Sequence, residues 1–311
     1  MDLIRRLEDH GLVVHLVARL RVSPNPVATW RAWQRRHFLG PNRIEVVRGQ
    51  IRGRVQYVPL WNLMPGLSLP RPAGIVGPPP GSERRVVLHT RQIVMARLGL
   101  SLKRLWPRLR VIAELEGDDL AEIEYKESKA PRPSSWARLR RGLERHYYHR
   151  AYRRILRDRD AVTCVSNNLR DVLIRRYSLT EQQARKLHVI PTFASRKEFC
   201  FLCAGDVGLL LRERHRMNEV AAPGKFGEHT LSGLPIVMTE GMGDFSARMR
   251  DSEWACVLPG LDDADGMRER IQRFCSRDFT ADERTAFSRW AAERFASELC
   301  VPQFAAPYTS V

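Results

Sequence analysis

Residues 204–235, AGDVGLLLRERHRMNEVAAPGKFGEHTLSGLP, decide the fold class of this chain. The apolar run from Val207 to Leu211 predicts a buried strand, and a charged loop follows it. The loop ends at Ala222-Pro223-Gly224, and the next residues predict a helix from about Lys225 to Ser232, closed by Gly233 as its C-cap. A strand, a loop, a helix and a further strand together form a βα unit of a parallel sheet.

The start of this predicted helix has the features of an anion-binding site. Parallel α/β folds bind ligands at the carboxyl ends of their strands, where the free N–H groups of a helix start favour negative charge. Lys225 adds a cation there, and Glu228, one turn further along, could accept hydrogen bonds from sugar or ribose hydroxyls. A diphosphate group suits this arrangement.

The same alternation of short apolar runs and longer amphipathic stretches continues along the chain, which favours an α/β fold with a parallel sheet. Several runs are continuously apolar, as in strands that helices cover on both faces. The predicted strands are Leu12–Val17, Val55–Pro59, Val86–His89, Arg110–Glu114, Ala161–Val165, Leu187–Ile190, Val207–Leu211 and Pro235–Thr239.

The length of 311 residues indicates about two domains, since a domain has roughly 150 residues. The alternation pauses at Pro191–Phe199, so we predict an N-terminal Rossmann-like domain of residues 1–190 and a C-terminal domain of residues 191–311. The Pro-rich stretches Pro65–Gly81 and Lys129–Ser135 are predicted loops inside the first domain. Apolar residues at helical spacing from Asp282 to Leu299 predict a terminal helix that packs on the second domain.

The excess of basic over acidic residues limits the classes of molecule that this protein is expected to bind. There are 52 Lys and Arg against 35 Asp and Glu, a net charge of +17, which leaves nucleic acid, an anionic membrane surface or phosphorylated substrates. No stretch approaches 18 uncharged apolar residues, so no membrane-spanning helix is predicted. The first 20 residues lack the pattern of a signal peptide, and we expect a cytoplasmic, reducing environment.

The most basic segment is Trp136–Arg159, which contains nine arginines. Its apolar residues recur at helical spacing and predict an amphipathic helix with an arginine face. That face could be a solvated surface of a sheet-packing helix, or it could attract anionic lipid headgroups. Nucleic acid is disfavoured, because no recognised DNA- or RNA-reading motif accompanies the patch. The apolar residues of the stripe are Trp136, Leu139, Leu143, Tyr147, Ala151 and Ile155.

The six cysteines predict no metal site. Only Cys200 and Cys203 form a C-x-x-C pair, and a zinc site would need a second pair or nearby histidines. We interpret the pair as two small buried residues and predict no metal and no cofactor.

The stretch that decides the fold resembles the nucleotide-sugar-binding region of family 4 glycosyltransferases. The strand and helix DAVTCVSNNLRDVLIRRY (160–177) resemble the end of that family's N-terminal domain, and KLHVIPTFASRKEF (186–199) resembles its interdomain strand and linker. VVLHTRQ (86–92) and VIAELEGDD (111–119) resemble, more loosely, the strands that line the cleft. The resemblance implies a GT-B fold, in which two Rossmann-like parallel-sheet domains face each other.

The resemblance implies an enzyme of hexosyltransferase type that transfers a sugar, with retention, from a nucleotide diphosphate sugar to a polysaccharide or lipid-linked acceptor. Such an enzyme serves polysaccharide biosynthesis for the cell envelope, in the cytoplasm or at the inner face of the membrane. Lys225 would face the diphosphate and Glu228 the ribose hydroxyls, while Arg212 and Asn218 would shape the donor-sugar side. The candidates for acceptor binding at strand ends of the other domain are Arg91, Glu116 and Asp118.

Two departures from the family pattern concern the C-terminal half. Val220 stands where many members have a second glutamate, eight residues before the position of Glu228. About three βα units, on the order of 90 residues, are missing after Phe199, so we predict an abridged second domain. The alternative function is therefore a catalytically impaired GT-B remnant that binds a membrane surface or a partner.

Overall fold

The computed structural model describes residues 16–21, 55–60, 87–105, 107–129, 134–190 and 202–310. The chain forms two compact units, one of Met1–Leu88 with Arg97–Arg110 and one of His89–Ala96 with Val111–Val311. In the first unit, strand β1 (Leu16–Arg21) pairs in parallel with β2 (Val55–Leu60). The predicted strand at Val55 is thus confirmed.

Several sequence predictions fall outside the described residues. These are the first four residues of the predicted strand Leu12–Val17, the loop at Pro65–Gly81, most of the loop at Lys129–Ser135, the linker Pro191–Phe199, and Cys200. The domain boundary predicted after residue 190 borders this undescribed linker and stays a prediction.

Apart from the β1–β2 pair, the described residues form two larger sheets, which we call the first and the second sheet. The first sheet has four strands, β3 (Val87–Arg91), β4 (Arg110–Leu115), β5 (Ala161–Cys164) and β6 (Leu187–Val189), in that order. Strands β4, β5 and β6 are parallel to one another. All four residues of β5 are buried, as expected of a strand inside a parallel sheet.

The helices between residues 92 and 184 follow these strands. Ser134 starts the longest of them, because its hydroxyl accepts a hydrogen bond from the N–H of Ala137 at 3.2 Å. That helix confirms the one predicted over Trp136–Arg159. The helices are α1 (Gln92–Leu105), α2 (Asp119–Ser128), α3 (Ser135–Asp158), α4 (Asn167–Tyr177) and α5 (Glu181–Ala184).

A second parallel sheet has three strands in chain order, β7 (Gly208–Leu210), β8 (Ile236–Thr239) and β9 (Ala255–Leu258). Strand β9 was missed by the sequence analysis, since only its last residue is buried and its apolar run is short. The described residues give this sheet three strands, and the abridged second domain stays a prediction. The helices of this part are α6 (Arg216–Glu219), α7 (Gly224–Leu231), α8 (Phe245–Met249), α9 (Ala264–Cys275), α10 (Ala281–Phe295) and α11 (Ser297–Ser310).

Three phenylalanines form the centre of the core on the second sheet. The ring of Phe226 stacks on Phe245 at 4.3 Å between centroids, and both rings meet the edge of Phe295 at 5.4 and 5.5 Å. Together with Ile236 and Met238 they are almost completely buried. Aromatic rings bury a large apolar area each, so three helices and three short strands share a dense core.

The tail forms two helices instead of the single one predicted over Asp282–Leu299. The backbone is extended at Ala296, which separates α10 from α11. On α11, the hydroxyl of Tyr308 lies 2.7 Å from Nδ1 of His89, so this helix contacts the middle of β3. Among the helices in the described part of the chain, none is long and apolar enough to cross a membrane.

Candidate functional site

Ser166 joins the carboxyl end of β5 to the loop that precedes α7. Its side chain accepts a hydrogen bond from the N–H of Leu169 at 3.0 Å and thereby caps α4. The same hydroxyl donates to the carbonyl of Val220 at 2.7 Å. One buried side chain therefore satisfies a helix start and a carbonyl 54 residues away.

Asp244, in the loop between β8 and α8, occupies the positive end of α4. Its carboxylate accepts hydrogen bonds from the N–H of Asn167 at 2.8 Å, the side-chain amide of Asn167 at 2.9 Å and the N–H of Asn168 at 3.1 Å. A carboxylate at a helix N-terminus is favoured by both the hydrogen bonds and the helix dipole. We call this contact of Asn167 and Asn168 with Asp244 the Asp244 joint.

A cavity of about 310 Å³ lies beside the Asp244 joint. Residues that follow β5, the last residue of β6, and the loop after β8 all line it, so it lies where the carboxyl ends of both parallel sheets meet. Parallel α/β folds bind ligands at such ends, and the volume is at the lower limit of ligand pockets. The lining residues are Val165, Ser166, Asn167, Val189, Asp244, Phe245, Arg248, Arg294, Phe295 and Gln303.

Two arginines give this cavity positive charge. Arg248 is exposed on α8, and the guanidinium of Arg294 lies 4.9 Å from the centre of the Trp290 ring while donating to the Trp290 carbonyl at 3.0 Å. The ring therefore holds Arg294 in place. Asp244 already neutralises the start of α4, and Arg294 also lies 3.3 Å from the carboxylate of Glu293. Arg248 forms no ion pair with a described carboxylate, so it is the cation of the lining that an anionic ligand would meet first. This cavity is the candidate functional site.

A larger open groove, of about 900 Å³, lies elsewhere, between the end of α7 and helix α10. Residues such as Leu231, Ser288 and Ala292 line it. It lies on a helical face, away from the carboxyl ends of the strands, so its position does not favour a substrate site.

The structure brings together Arg212 and Asn218, the two residues predicted for the donor-sugar side. The Arg212 guanidinium donates to Oδ1 of Asn218 at 3.1 Å, and Nδ2 of Asn218 donates to the Glu213 carbonyl at 2.8 Å. The backbone of Arg212 exchanges two hydrogen bonds with the Thr239 hydroxyl at the end of β8. Asn218 is buried and shapes the loop after β7, whereas the Arg212 side chain is exposed.

Lys225 and Glu228, the residues predicted for the diphosphate and the ribose, lie on α7. This helix begins at Gly224 after Pro223 without a side-chain cap, and in its first turn the N–H of Phe226 donates to the Pro223 carbonyl at 3.0 Å. Lys225 is exposed and Glu228 is half-buried, and neither side chain hydrogen-bonds to another described residue. Both are therefore accessible to a ligand. Whether the seven predicted residues bind donor and acceptor stays a prediction.

On the first sheet, the acceptor-side candidates Arg91 and Glu116 form an ion pair. Nε of Arg91 also lies 3.5 Å from Glu114, whose carboxylate is 2.8 Å from Nε2 of His89. The ends of β3 and β4 thus carry a cluster of charged side chains, with Arg91 two-thirds exposed.

Asp118, the third acceptor candidate, makes the contacts of a structural residue. Its carboxylate accepts two hydrogen bonds from Arg176, at 2.6 and 2.8 Å, and a third from the N–H of Leu120 that caps α2. The side chain is 1% exposed. The hydrogen-bonding groups of this carboxylate are therefore directed at other residues of the protein.

The neighbouring Asp119 was missed by the sequence analysis. The hydroxyl of Tyr152 donates to its carboxylate at 2.7 Å. Burial raises the pKa of Asp119 to about 6, and the hydrogen bond from Tyr152 opposes this shift. The two acidic residues after a predicted strand were a usable signal, because strand ends of parallel sheets collect functional side chains.

The cavity residues were missed as well. Ser166-Asn167-Asn168 directly follows a predicted strand, so it could have been identified as a helix cap. Arg248 and Arg294 gave no signal, since they lie on different helices that meet only in the folded protein. In the described part of the chain no group of three metal-ligating side chains lies together, and Cys164, Cys256, Cys275 and Cys300 form no disulfide.

No family model and no curated protein matches this chain. A glycosyltransferase from Rickettsia africae ESF-5 has a similar structure, with a TM-score of 0.50 and 10% sequence identity over 99% of this chain and 92% of that chain. The similarity confirms the predicted α/β, GT-B-like fold. At this identity it shows a glycosyltransferase fold, and it does not assign the chain to family 4.

Proposed function

We propose that this chain binds a nucleotide diphosphate sugar and transfers the sugar, with retention, to a saccharide or lipid-linked acceptor. One observation carries the proposal: in a glycosyltransferase fold, the carboxyl ends of both parallel sheets meet at a cavity that contains Arg248 and Arg294. An acceptor of the cell envelope would place the reaction at the cytoplasmic face of a membrane.

The chemistry requires cations near the leaving diphosphate. As the bond from the anomeric carbon to the diphosphate breaks, that carbon becomes positively charged and the diphosphate gains negative charge. Arg248 and Arg294 line the cavity with positive charge, although Arg294 also pairs with Glu293, and Lys225 adds a cation at the start of α7. In this proposal Glu228 accepts hydrogen bonds from the ribose, and Arg91 and Glu116 contact the acceptor.

A binding protein without transfer activity is the second candidate. The second sheet has only three described strands, and the positive end of α4 is already occupied by the Asp244 carboxylate. Loss of phosphate-binding groups would cost several kcal/mol of transition-state stabilisation, or at least about 100-fold in rate. A chain of this kind would still fold and bind.

Thermal unfolding with UDP, GDP and ADP tests donor binding. A nucleotide present at 100 times its Kd adds about 2.7 kcal/mol to the stability and raises Tm. We expect Arg248→Gln with Arg294→Gln, and Lys225→Ala with Glu228→Ala, to abolish the rise. The control Arg268→Gln with Arg273→Gln, on α9, removes two exposed arginines elsewhere and should keep it.

The same samples separate the two candidates. Release of sugar from the nucleotide sugar, or its transfer to an acceptor, supports the transferase. A rise in Tm without release or transfer supports the binding protein. The absence of any rise with all nucleotides would contradict donor binding.

A further inference from the structure

Helix α3 is buried in its second half only. Its buried residues are Ala151, Tyr152, Ile155 and Leu156, and no residue of the helix before Ala151 is buried. The apolar stripe nevertheless continues toward the N-terminus of the helix at spacings of three and four residues. The stripe that packs on the core at one end is therefore uncovered at the other.

Three large apolar side chains form the uncovered part of this stripe. Trp136 is 72% exposed, Leu139 54% and Leu143 62%. Single exposed apolar residues are common on protein surfaces and need no explanation. Here three of the six exposed large apolar side chains of the described residues fall within two turns of one helix. Their grouping indicates a contact surface.

The charge around this stripe is strongly positive. Residues 135–149 contain four arginines and one carboxylate, Glu144. Arg145 pairs with Glu127 at 3.0 Å, whereas Arg138, Arg140 and Arg141 form no ion pair with a described carboxylate. The surface thus combines exposed apolar side chains with uncompensated arginines.

We infer that residues 135–149 are a docking surface for an anionic lipid membrane. Tryptophan and leucine side chains enter the boundary between headgroups and acyl chains, and flanking arginines keep their charge at the lipid phosphates. The negative potential of an anionic leaflet attracts each arginine near its surface. Docking in this way does not require sugar transfer, so the inference is independent of the proposed function.

The same residues fit nucleic acid less well. A polynucleotide needs cations for its phosphates and aromatic faces for its bases. Two of the three exposed apolar residues are leucines, which give a base no ring to stack on. Of the aromatic residues that follow, Tyr147 and Tyr148 are partly buried and pack against each other edge to face at 5.5 Å.

Co-sedimentation of the full chain with vesicles tests the inference. We expect binding to vesicles of phosphatidylglycerol and phosphatidylcholine, and at least about tenfold weaker binding to phosphatidylcholine alone. Arg138→Gln with Arg140→Gln and Arg141→Gln should weaken binding on the order of 100-fold at low salt. Trp136→Gln with Leu139→Gln and Leu143→Gln should weaken it about tenfold and abolish the binding that persists at high salt.

Matched controls change similar residues elsewhere. Leu209→Gln with Leu299→Gln replaces two other exposed leucines, and Arg268→Gln with Arg270→Gln and Arg273→Gln removes three arginines from α9. Both controls should bind vesicles as the wild type does, and circular dichroism and Tm show that each variant is folded.

Three results would overturn the inference. The first is no binding to phosphatidylglycerol vesicles at low salt. The second is wild-type binding by the Trp136 triple variant, since attraction by charge alone would then suffice. The third is a gel shift with single- or double-stranded RNA or DNA that is stronger, at equal salt, than the vesicle binding.

Discussion

Asp118 and Asp119 are adjacent in sequence and have opposite environments. Asp118 pairs with Arg176, a cation 58 residues away, whereas Asp119 meets the neutral hydroxyl of Tyr152. The sequence predicts that functional side chains lie at the carboxyl end of the strand before them. Nothing near the two aspartates in the sequence indicates which residue either carboxylate contacts. Each partner comes from a distant helix, so their roles are decided by packing.

Removing the carboxylate of Asp118 should destabilise the protein. Asp118→Ala leaves the guanidinium of Arg176 largely buried without its partner, and we expect a loss of about 3 to 5 kcal/mol in urea unfolding. Asp118→Asn with Arg176→Met keeps a helix cap, removes the unpaired charge and should recover most of this loss. Asp265→Ala breaks an exposed ion pair and should cost less than about 0.5 kcal/mol. Equal effects at Asp118 and Asp265 would contradict the buried pair.

Asp119 should make stability depend on pH. Its pKa is about 6 in the folded protein and 3.8 ordinarily, because burial favours the neutral form. The folded state then holds the proton more tightly, so the contribution is complete below pH 3.8 and is lost as pH rises through about 6. The loss is on the order of 2 to 3 kcal/mol.

Asp119→Asn tests this dependence, because the amide cannot titrate and its oxygen can still accept from Tyr152. We expect the free energy of unfolding of the wild type, relative to this variant, to fall between pH 4 and pH 6. Urea unfolding at several pH values measures the difference. A constant difference over this range would show that Asp119 has an ordinary pKa.

At the scale of elements, α7 was predicted within one residue at each end, and β9 was missed. Helix α7 has local signals at both termini: Pro223-Gly224 at the start, and Gly233 with a φ of +67° after the end. Strand β9 has no such signals, and three of its four residues are half-buried. An element whose ends carry residues such as Pro and Gly can be predicted from the sequence. The formation of a short strand at a sheet edge depends instead on the strand and helices that pack beside it, which the local sequence does not show.

The Asp244 joint should contribute more to the free energy of unfolding than an ordinary helix cap does. Asp244→Ala removes three hydrogen bonds to a carboxylate at the start of α4, and we expect a loss of about 2 to 3 kcal/mol. Asp263→Ala removes an exposed cap of α9 and should cost about 1 kcal/mol. Urea unfolding compares the two. A loss at Asp244 no larger than that at Asp263 would contradict the contribution of the joint.

At the scale of the whole molecule, the α/β class was predictable, because continuous apolar runs and their spacing are visible in sequence. Arg212 and Asn218, six positions apart, are in contact, and their role on the donor-sugar side stays a prediction. The cavity combines Asn167, Arg248 and Arg294 from three helices, and none of them was named as a site residue from the sequence. Such convergence depends on how these helices pack in the folded protein and has no local signature.

The net charge of +17 should make stability rise with moderate salt. Like charges repel one another in the compact state, and salt shortens the range of this repulsion from about 30 Å at 0.01 M to about 10 Å at 0.1 M. We therefore expect Tm to increase between these concentrations. Arg138→Gln with Arg140→Gln and Arg141→Gln lowers the charge by three and should reduce the increase. A Tm that falls with salt would show that attractive ion pairs dominate.

The Asp244 joint also has a consequence for folding kinetics. It connects residues that are 76 and 77 positions apart, so a long loop must close before its hydrogen bonds can form. We expect these contacts to form after the rate-limiting step, so that their removal accelerates unfolding more than it slows folding. Stopped-flow measurements on Asp244→Ala should show a faster unfolding arm and a nearly unchanged refolding arm. The joint would then determine how long the two sheets stay together in the native state.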